Sequence, residues 1–285
     1  MAAAARADAG ADMDVARPEF LPDPDRSHGE MEALQREIAD AAVFSDDHGF
    51  DAATLALAET PRDATGDPGS TSQQATLSDA DAPVVVGVDQ AFVGDERSVS
   101  AAVAVQNGAV VERAAGSAPL EIPYIPGLLA FREGDAIVDA LESLSVDPDV
   151  LVLDGSGRIH FRQAGIATHV GVLFDVAAVG VAKNLLCGTP REPLDDPLPE
   201  GARVAIEADD GVDAPHGTVI GYAYQSRQYP NPQRRHVNPL ITSPGHRLSA
   251  ETTVDVVEAT CAGYKLPAPT RLADKYADKL KQSGR

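Results

Sequence analysis

Residues 84–92 read VVVGVDQAF. Three β-branched residues, a glycine and a fourth valine end on Asp89, the pattern of a buried strand that delivers a carboxylate at its terminus. Residues 98–105, SVSAAVAV, and 110–114, VVERA, read as two further strands. Asn107-Gly108 between them is the strongest hairpin signal in the chain, because both residues tolerate the positive φ of a tight primed turn. Three successive strands with a hairpin predict a mixed or antiparallel start to the sheet. Residues 150–154, VLVLD, repeat the first pattern and end on Asp154. If the two Asp-terminated strands run parallel, their carboxylates stand side by side.

The remaining chain alternates helix and strand. Helices are predicted over 28–44, 131–144, 165–176, 249–264 and 269–281, and strands over 177–182, 203–208 and 218–226. A loop rich in Arg, Asn and Pro spans 227–239. Residues 1–26, rich in Ala, Asp and Pro, read as a disordered acidic tail, and 27–285 as one catalytic domain. The Pro-, Gly- and Ser-broken stretch 59–82 reads as a loop with a short helix near its end. No internal repeat is present.

Asp and Glu number 44 against 23 Lys and Arg, a net charge of −21. Taken globally, such a surface repels nucleic acid. Concentrated salt screens diffuse charge, so the balance fits a salt-rich cytoplasm in which a local site dominates. Two cysteines, Cys187 and Cys261, make no disulfide framework and no zinc pattern. No signal peptide or membrane-length apolar run is read, so the expectation is a cytoplasmic protein with no membrane partner.

Glu133 joins the two aspartates at the opening of a helix, where either a catalytic role or a favourable interaction with the helix N-terminus accounts for it. Three carboxylates from separate elements suit one hard divalent ion, Mg2+ or alternatively Mn2+, and suggest phosphodiester hydrolysis. His246 is read as a ligand of a second ion or as a proton donor at the leaving group. Lys183 follows an apolar strand and needs a carboxylate or phosphate partner unless its head lies in solvent. Arg132, His160 and Arg162 are candidate phosphate contacts, although His160 could equally hold its loop by hydrogen bonds. His169 reads as structural and His236 as solvent-exposed. PYIPG at 123–127 holds Tyr124 and Ile125 in a stiff turn, between Pro123 and Pro126, suited to wedging between bases or to plugging the sheet edge. Gly127, Gly155 and Gly157 permit close backbone approach of a ligand. They form no dinucleotide or phosphate-loop fingerprint.

VGVDQAF, PYIPGLLAFRE, LVLDGSGRIHFRQAGIATHVG, VGVAKNLL and SPGHRLS, in that order, resemble the endonuclease V family, the deoxyinosine 3′ endonucleases. The resemblance runs from about Met31 to Tyr276, and GYKLPAPTRLAD looks like the family's ending. It implies a ribonuclease-H-like α/β fold, a mixed sheet flanked by helices, and metal-dependent cleavage of the second phosphodiester bond 3′ to inosine, leaving a 3′-hydroxyl and a 5′-phosphate. It implies catalytic roles for Asp89, Glu133, Asp154, Lys183 and His246, and a wedge role for Tyr124. His160 and the three glycines match positions near the extruded base. Two departures stand out: Phe161 replaces the family's Pro after the loop His, and Gln90 replaces a small apolar residue. The expected partner is deaminated DNA, with inosine-containing RNA as the alternative substrate and non-hydrolytic lesion binding as the alternative class. Monomeric action is expected because all proposed catalytic residues lie in one domain.

Overall fold

Val85–Val93 (β2) sits near the middle of a sheet whose neighbours on either side run in opposite senses. A computed structural model describes residues 13–63 and 82–283. The other strands among them are β1 (Arg62–Asp63), β3 (Arg97–Gln106), β4 (Ala109–Pro119), β5 (Val150–Asp154), β6 (Ala177–Ala182), β7 (Thr189–Pro190), β8 (Arg203–Glu207), β9 (Val219–Tyr224) and β10 (Leu240–His246). Their order is β1-β4-β3-β2-β5-β6-β10-β9-β8-β7. β2, β3 and β4 form an antiparallel meander, and β2, β5 and β6 are parallel. From β10 onward the sheet is antiparallel again. The hairpin falls at Asn107 and Gly108, with φ of 51° and 72°, as the sequence predicts.

Alternation along the strands splits the core into layers. Val84, Val86, Val88, Leu151 and Leu153 face one side and pack with α1 (His28–Ala41), α2 (Leu129–Glu142) and α3 (Ile166–Phe174). Val85, Val150, Val152 and Val179 face the other side, under α4 (Ala250–Thr260). Ala101 and Val103 meet Ala273 and Ala277 of α5 (Ala268–Gln282) on that second side. Gly87 allows α5 to lie directly on β2: a Cβ there would overlap the Pro269 carbonyl group.

One sequence expectation changes, and one central strand is new. Residues 13–26 are docked on the domain: Met13 and Phe20 are buried, and the Met13 amide donates to Leu144 O and the Arg17 amide to Leu173 O. The composition of the segment hides two well-spaced apolar anchors. Residues 1–12 and most of the 59–82 segment lie outside the described residues. β10 is an element not assigned from the sequence, and Pro244 and Gly245 argue against a central strand there. The ladder to β9 stops at Thr242, so Pro244 pairs only with Val179 of β6 and its carbonyl accepts the Arg158 amide; the register with β6 then shifts between Pro244 and His246.

Candidate active site

The parallel register decides the site. Val88 of β2 pairs with Leu153 of β5, so the next residues, Asp89 and Asp154, stand at one level; Asp154 ends β5, whereas β2 runs on to Val93, so Asp89 lies inside its strand and not at the terminus the sequence predicts. Asp154 pairs across to Val181, and Lys183 follows where β6 ends. α5 lies over this row. Asp89, Asp154 and Asp274 line one cavity with Lys183, Leu266 and Thr270.

Negative charge there exceeds its compensation. Asp89 is 9% exposed, and its pKa is pushed up to about 7, first by burial and then by the charges of Asp154 and Asp274. The Gln90 amide, donating to its Oδ1 at 2.7 Å, only partly opposes this. Burial also raises the pKa of Asp154, against the pull of Lys183. The Lys183 ammonium stands 3.5 Å from Asp154 Oδ2, and its side chain is 63% exposed. The ammonium thus meets a site carboxylate while most of the side chain lies in solvent, so the two alternatives read from the sequence both hold in part.

Glu133 comes from the opposite layer, on α2, whose Phe131 packs with Val86 and Val88. It is the fifth residue of the helix and buried, so capping does not account for it. Burial raises its pKa to about 7 against the opposing charge of Arg132, and Asp154 adds to the rise. Arg132 Nη1 lies 3.3 Å from Glu133 Oε1.

The donor set is oxygen-only, buried and short of cations, which fits a hard divalent ion. Among the described residues, no three His, Cys, Asp or Glu side chains stand close enough to hold one as they lie. Asp154 is turned to Lys183, Glu133 to Arg132 and Asp89 to the Gln90 amide. Binding an ion would draw the carboxylates away from these partners.

His246 does not join them. It pairs with Ala178, on the α3 face of the sheet, whereas Asp154 pairs with Val181 on the α5 face. Its Nδ1 accepts the Val43 amide at 3.1 Å and its Nε2 meets Asp175 Oδ1 at 3.1 Å. Both ring nitrogens are engaged by protein groups, so the structure does not bring His246, expected as an ion ligand or proton donor, to the Asp89–Asp154 row.

Two arginines expected on phosphate are also committed elsewhere. Arg162 donates to Gln35 Oε1 at 2.7 Å and to Glu32 Oε1 at 2.9 Å. Arg132 bonds Ile122 O and Glu133 and stacks over Phe92. His160 takes the loop-holding role. Its Nδ1 accepts the Arg162 amide, which leaves Nε2 to donate to Gly127 O at 3.0 Å. Burial lowers its pKa to about 4, so it is neutral at physiological pH.

Tyr124 is 64% exposed, whereas Ile125 packs against the core. Pro126 and Gly127 close the turn, Gly127 with φ of 84°. Gly155 and Gly157 admit protein rather than leaving open space: added Cβ atoms would meet Ile166 and the Pro244 carbonyl. Gln90 shares the parity of Val88 and Phe92 and so points away from Asp89, as its place in the strand predicts. Its Nε2 is buried without a partner.

Sequence reasoning missed Asp274, Thr270 and Gln35. Thr270 and Asp274 are four residues apart, on one face of α5, within the PTRLAD segment that carried the family resemblance. A carboxylate beside a buried helical stripe was the available signal. Gln35, 1% exposed, donates to Gly127 O and Ala164 O and ties α1 to the loop.

Comparison with known proteins sets this geometry in context. The model of the family described as Endonuclease V matches residues 70–275. The endonuclease V of Halobacterium salinarum is 65% identical over 268 residues, covering 94% of this chain and 100% of the relative. That of Haloarcula marismortui is 58% identical over 270 residues, covering 93% and 96%. Both come from halophilic archaea, in keeping with the acidic composition. Among solved structures, endonuclease V from Streptomyces avermitilis superposes with a TM-score of 0.70 at 26% identity, over 94% of this chain and 98% of that one. The catalytic domain of human endonuclease V gives 0.69 at 27% identity, over 92% and 99%. The mixed sheet flanked by helices is the ribonuclease-H-like fold of these proteins.

Proposed function

The chain belongs to the endonuclease V family, and from that premise we propose that this endonuclease nicks DNA at deoxyinosine, hydrolysing the second phosphodiester bond 3′ to the lesion. The observation that carries the reading is the level pairing of Asp89 and Asp154 beneath Asp274, in a cavity with surplus negative charge.

Asp89, Asp154 and Asp274 would hold Mg2+, or Mn2+ in its place, with Glu133 closing on the site from α2. A bound divalent ion there supplies an acidified water and stabilises charge on a phosphodiester oxygen. The protein's own groups do the rest. Lys183, mostly exposed beside Asp154, is placed to meet the phosphate entering the cavity. Tyr124, exposed on its proline-framed turn, is the wedge that fills the gap left by an extruded base. Neutral His160 and Gln35 both bond Gly127 O and hold that turn in place. Hypoxanthine pairs more weakly than guanine, which lowers the cost of extrusion. The protein acts as a cytoplasmic monomer in this reading.

The test compares cleavage of matched deoxyinosine DNA and inosine RNA with magnesium at high potassium chloride, for wild type and Asp89→Ala. DNA nicking one nucleotide beyond the lesion, lost in the variant, is the expected result. RNA-selective cleavage would transfer the same machinery to inosine RNA. Binding without scission of either by folded protein would overturn the hydrolytic reading.

A further inference from the structure

Residues 227–239, RQYPNPQRRHVNP, contain three arginines and a histidine and no acidic residue, in a chain of net charge −21. The segment connects β9 to β10, and the pairing shows where it emerges. Thr242 of β10 pairs with both Val181 and Tyr222, on the same level as Asp154. β9 runs past that level to Tyr224, and β10 returns from Leu240. The segment therefore leaves the sheet at the end that carries the carboxylates, with β10 two strand spacings from β5, roughly 10 Å.

It is a built arm. Gln225 Nε2 donates to Arg227 O and Val237 O, and Gln228 Oε1 accepts the Val237 amide at 3.0 Å, so the base is clasped from both sides. Ser226 Oγ donates to Lys265 O at 2.6 Å, tying the base to the residue before Leu266 of the cavity. The Arg234 and Arg235 amides turn back onto Asn231 O, and Arg235 stacks over Tyr229 at 4.4 Å. Arg227, Arg234 and Arg235 are all exposed. Several arginines elsewhere are spent on carboxylates, such as Arg162 on Glu32, Arg191 on Glu207 and Arg247 on Asp175, while Arg158 and Arg271 stack on aromatic rings. Among the described residues, the three arm arginines have no carboxylate partner.

We infer that this arm is a second nucleic-acid contact, binding backbone phosphates of the DNA strand that leaves the catalytic cavity. The chemistry is that of phosphate recognition: exposed guanidiniums without carboxylate partners, on a loop whose Gln228 amide is held by Glu200, beside the proposed site of phosphodiester cleavage. An acidic protein in concentrated salt gains little from long-range attraction, so short-range guanidinium–phosphate pairs must carry the contact. The inference rests on the DNA-nuclease reading above and names part of how that substrate is held.

The test measures binding of deoxyinosine DNA across a potassium chloride series for wild type and for Arg227→Gln/Arg234→Gln/Arg235→Gln. Calcium replaces magnesium to hold back cleavage. The triple variant should weaken binding and flatten the plot of log affinity against log salt by about 2 to 3. In cleavage assays KM should rise while kcat at saturating DNA holds. The triple lysine variant should keep the wild-type slope, which a merely structural role would not require. Arg62→Gln/Arg191→Gln, whose guanidiniums already face Glu59 and Glu207, should leave the slope unchanged. Equal slopes for wild type and the triple glutamine variant would overturn the arm. Wild type that neither binds nor cuts deoxyinosine DNA would instead remove the substrate reading itself.

Discussion

The two faces of one sheet treat buried charge in opposite ways. On the α5 face, Asp89 and Asp154 sit beneath Asp274 with Lys183 as the nearby cation, and burial raises both pKa values. On the α3 face, Asp175 is held by His246, Arg247 and Arg17, and its pKa is lowered even though burial opposes this. The first cluster is short of positive charge and the second is closed. That difference separates a site from a structural network better than residue type does, since each contains residues that the sequence nominates equally well.

Asp89→Asn should break the contrast most strongly. Cleavage with magnesium should fall on the order of 10³-fold or more, because a ligand for the ion is lost. Stability should move the other way. The folded pKa of Asp89, about 7, lies above its ordinary 3.8, so the metal-free protein loses stability as pH rises through that interval. Above pH 7 the metal-free variant should be more stable than wild type, by about 1–4 kcal/mol in denaturant titration. Equal stability would show that the charge on Asp89 is compensated after all.

The α3 side should show the opposite pH signature. His169, buried in α3 with Nε2 on Phe20 O at 2.6 Å, has its pKa lowered from 6.5 to about 4, and His160 behaves likewise. Their neutral burial stabilises fully above the unfolded value and is lost as pH falls towards 4. Each should cost roughly 2 kcal/mol by about pH 5. A urea midpoint unchanged over that range would contradict the assignment.

Gly87→Ala should sharpen the geometric half of the contrast. Its Cβ would push Pro269 and Thr270 away from β2 and carry Asp274 with them. Destabilisation of about 1–3 kcal/mol is expected, with a higher magnesium requirement for cleavage. Loss of stability with an unchanged magnesium response would show that α5 does not position the ion. His246→Gln should have the smallest effect, about 1 kcal/mol in thermal unfolding, with an unaltered magnesium response.

Much of this was legible in the sequence. Two neighbouring strands carrying Asp89 and Asp154, the Asn107-Gly108 hairpin and the parity that turns Gln90 away from Asp89 all follow from period and turn chemistry, although β2 runs on past Asp89 to Val93. What was hidden depends on tertiary register. β10 carries Pro244 near its end, where pairing to β9 has already stopped at Thr242 and the missing N–H costs no ladder bond on that side. His246 has the chemistry of a ligand, but its parity along β10 turns it to the other face. Asp274 lies in an ordinary amphipathic helix, and becomes part of the site because Gly87 lets that helix settle on β2. Met13 and Phe20 were lost in a polar composition, although each finds a pocket.

The most direct measurement is a magnesium titration of deoxyinosine-DNA cleavage by wild type, Asp274→Asn and His246→Gln. If the α5-face carboxylates hold the ion, Asp274→Asn loses cleavage or needs far more magnesium, and His246→Gln keeps the wild-type midpoint. A wild-type midpoint for Asp274→Asn, with a shifted one for His246→Gln, would place the ion on the wrong face of the sheet and contradict the account.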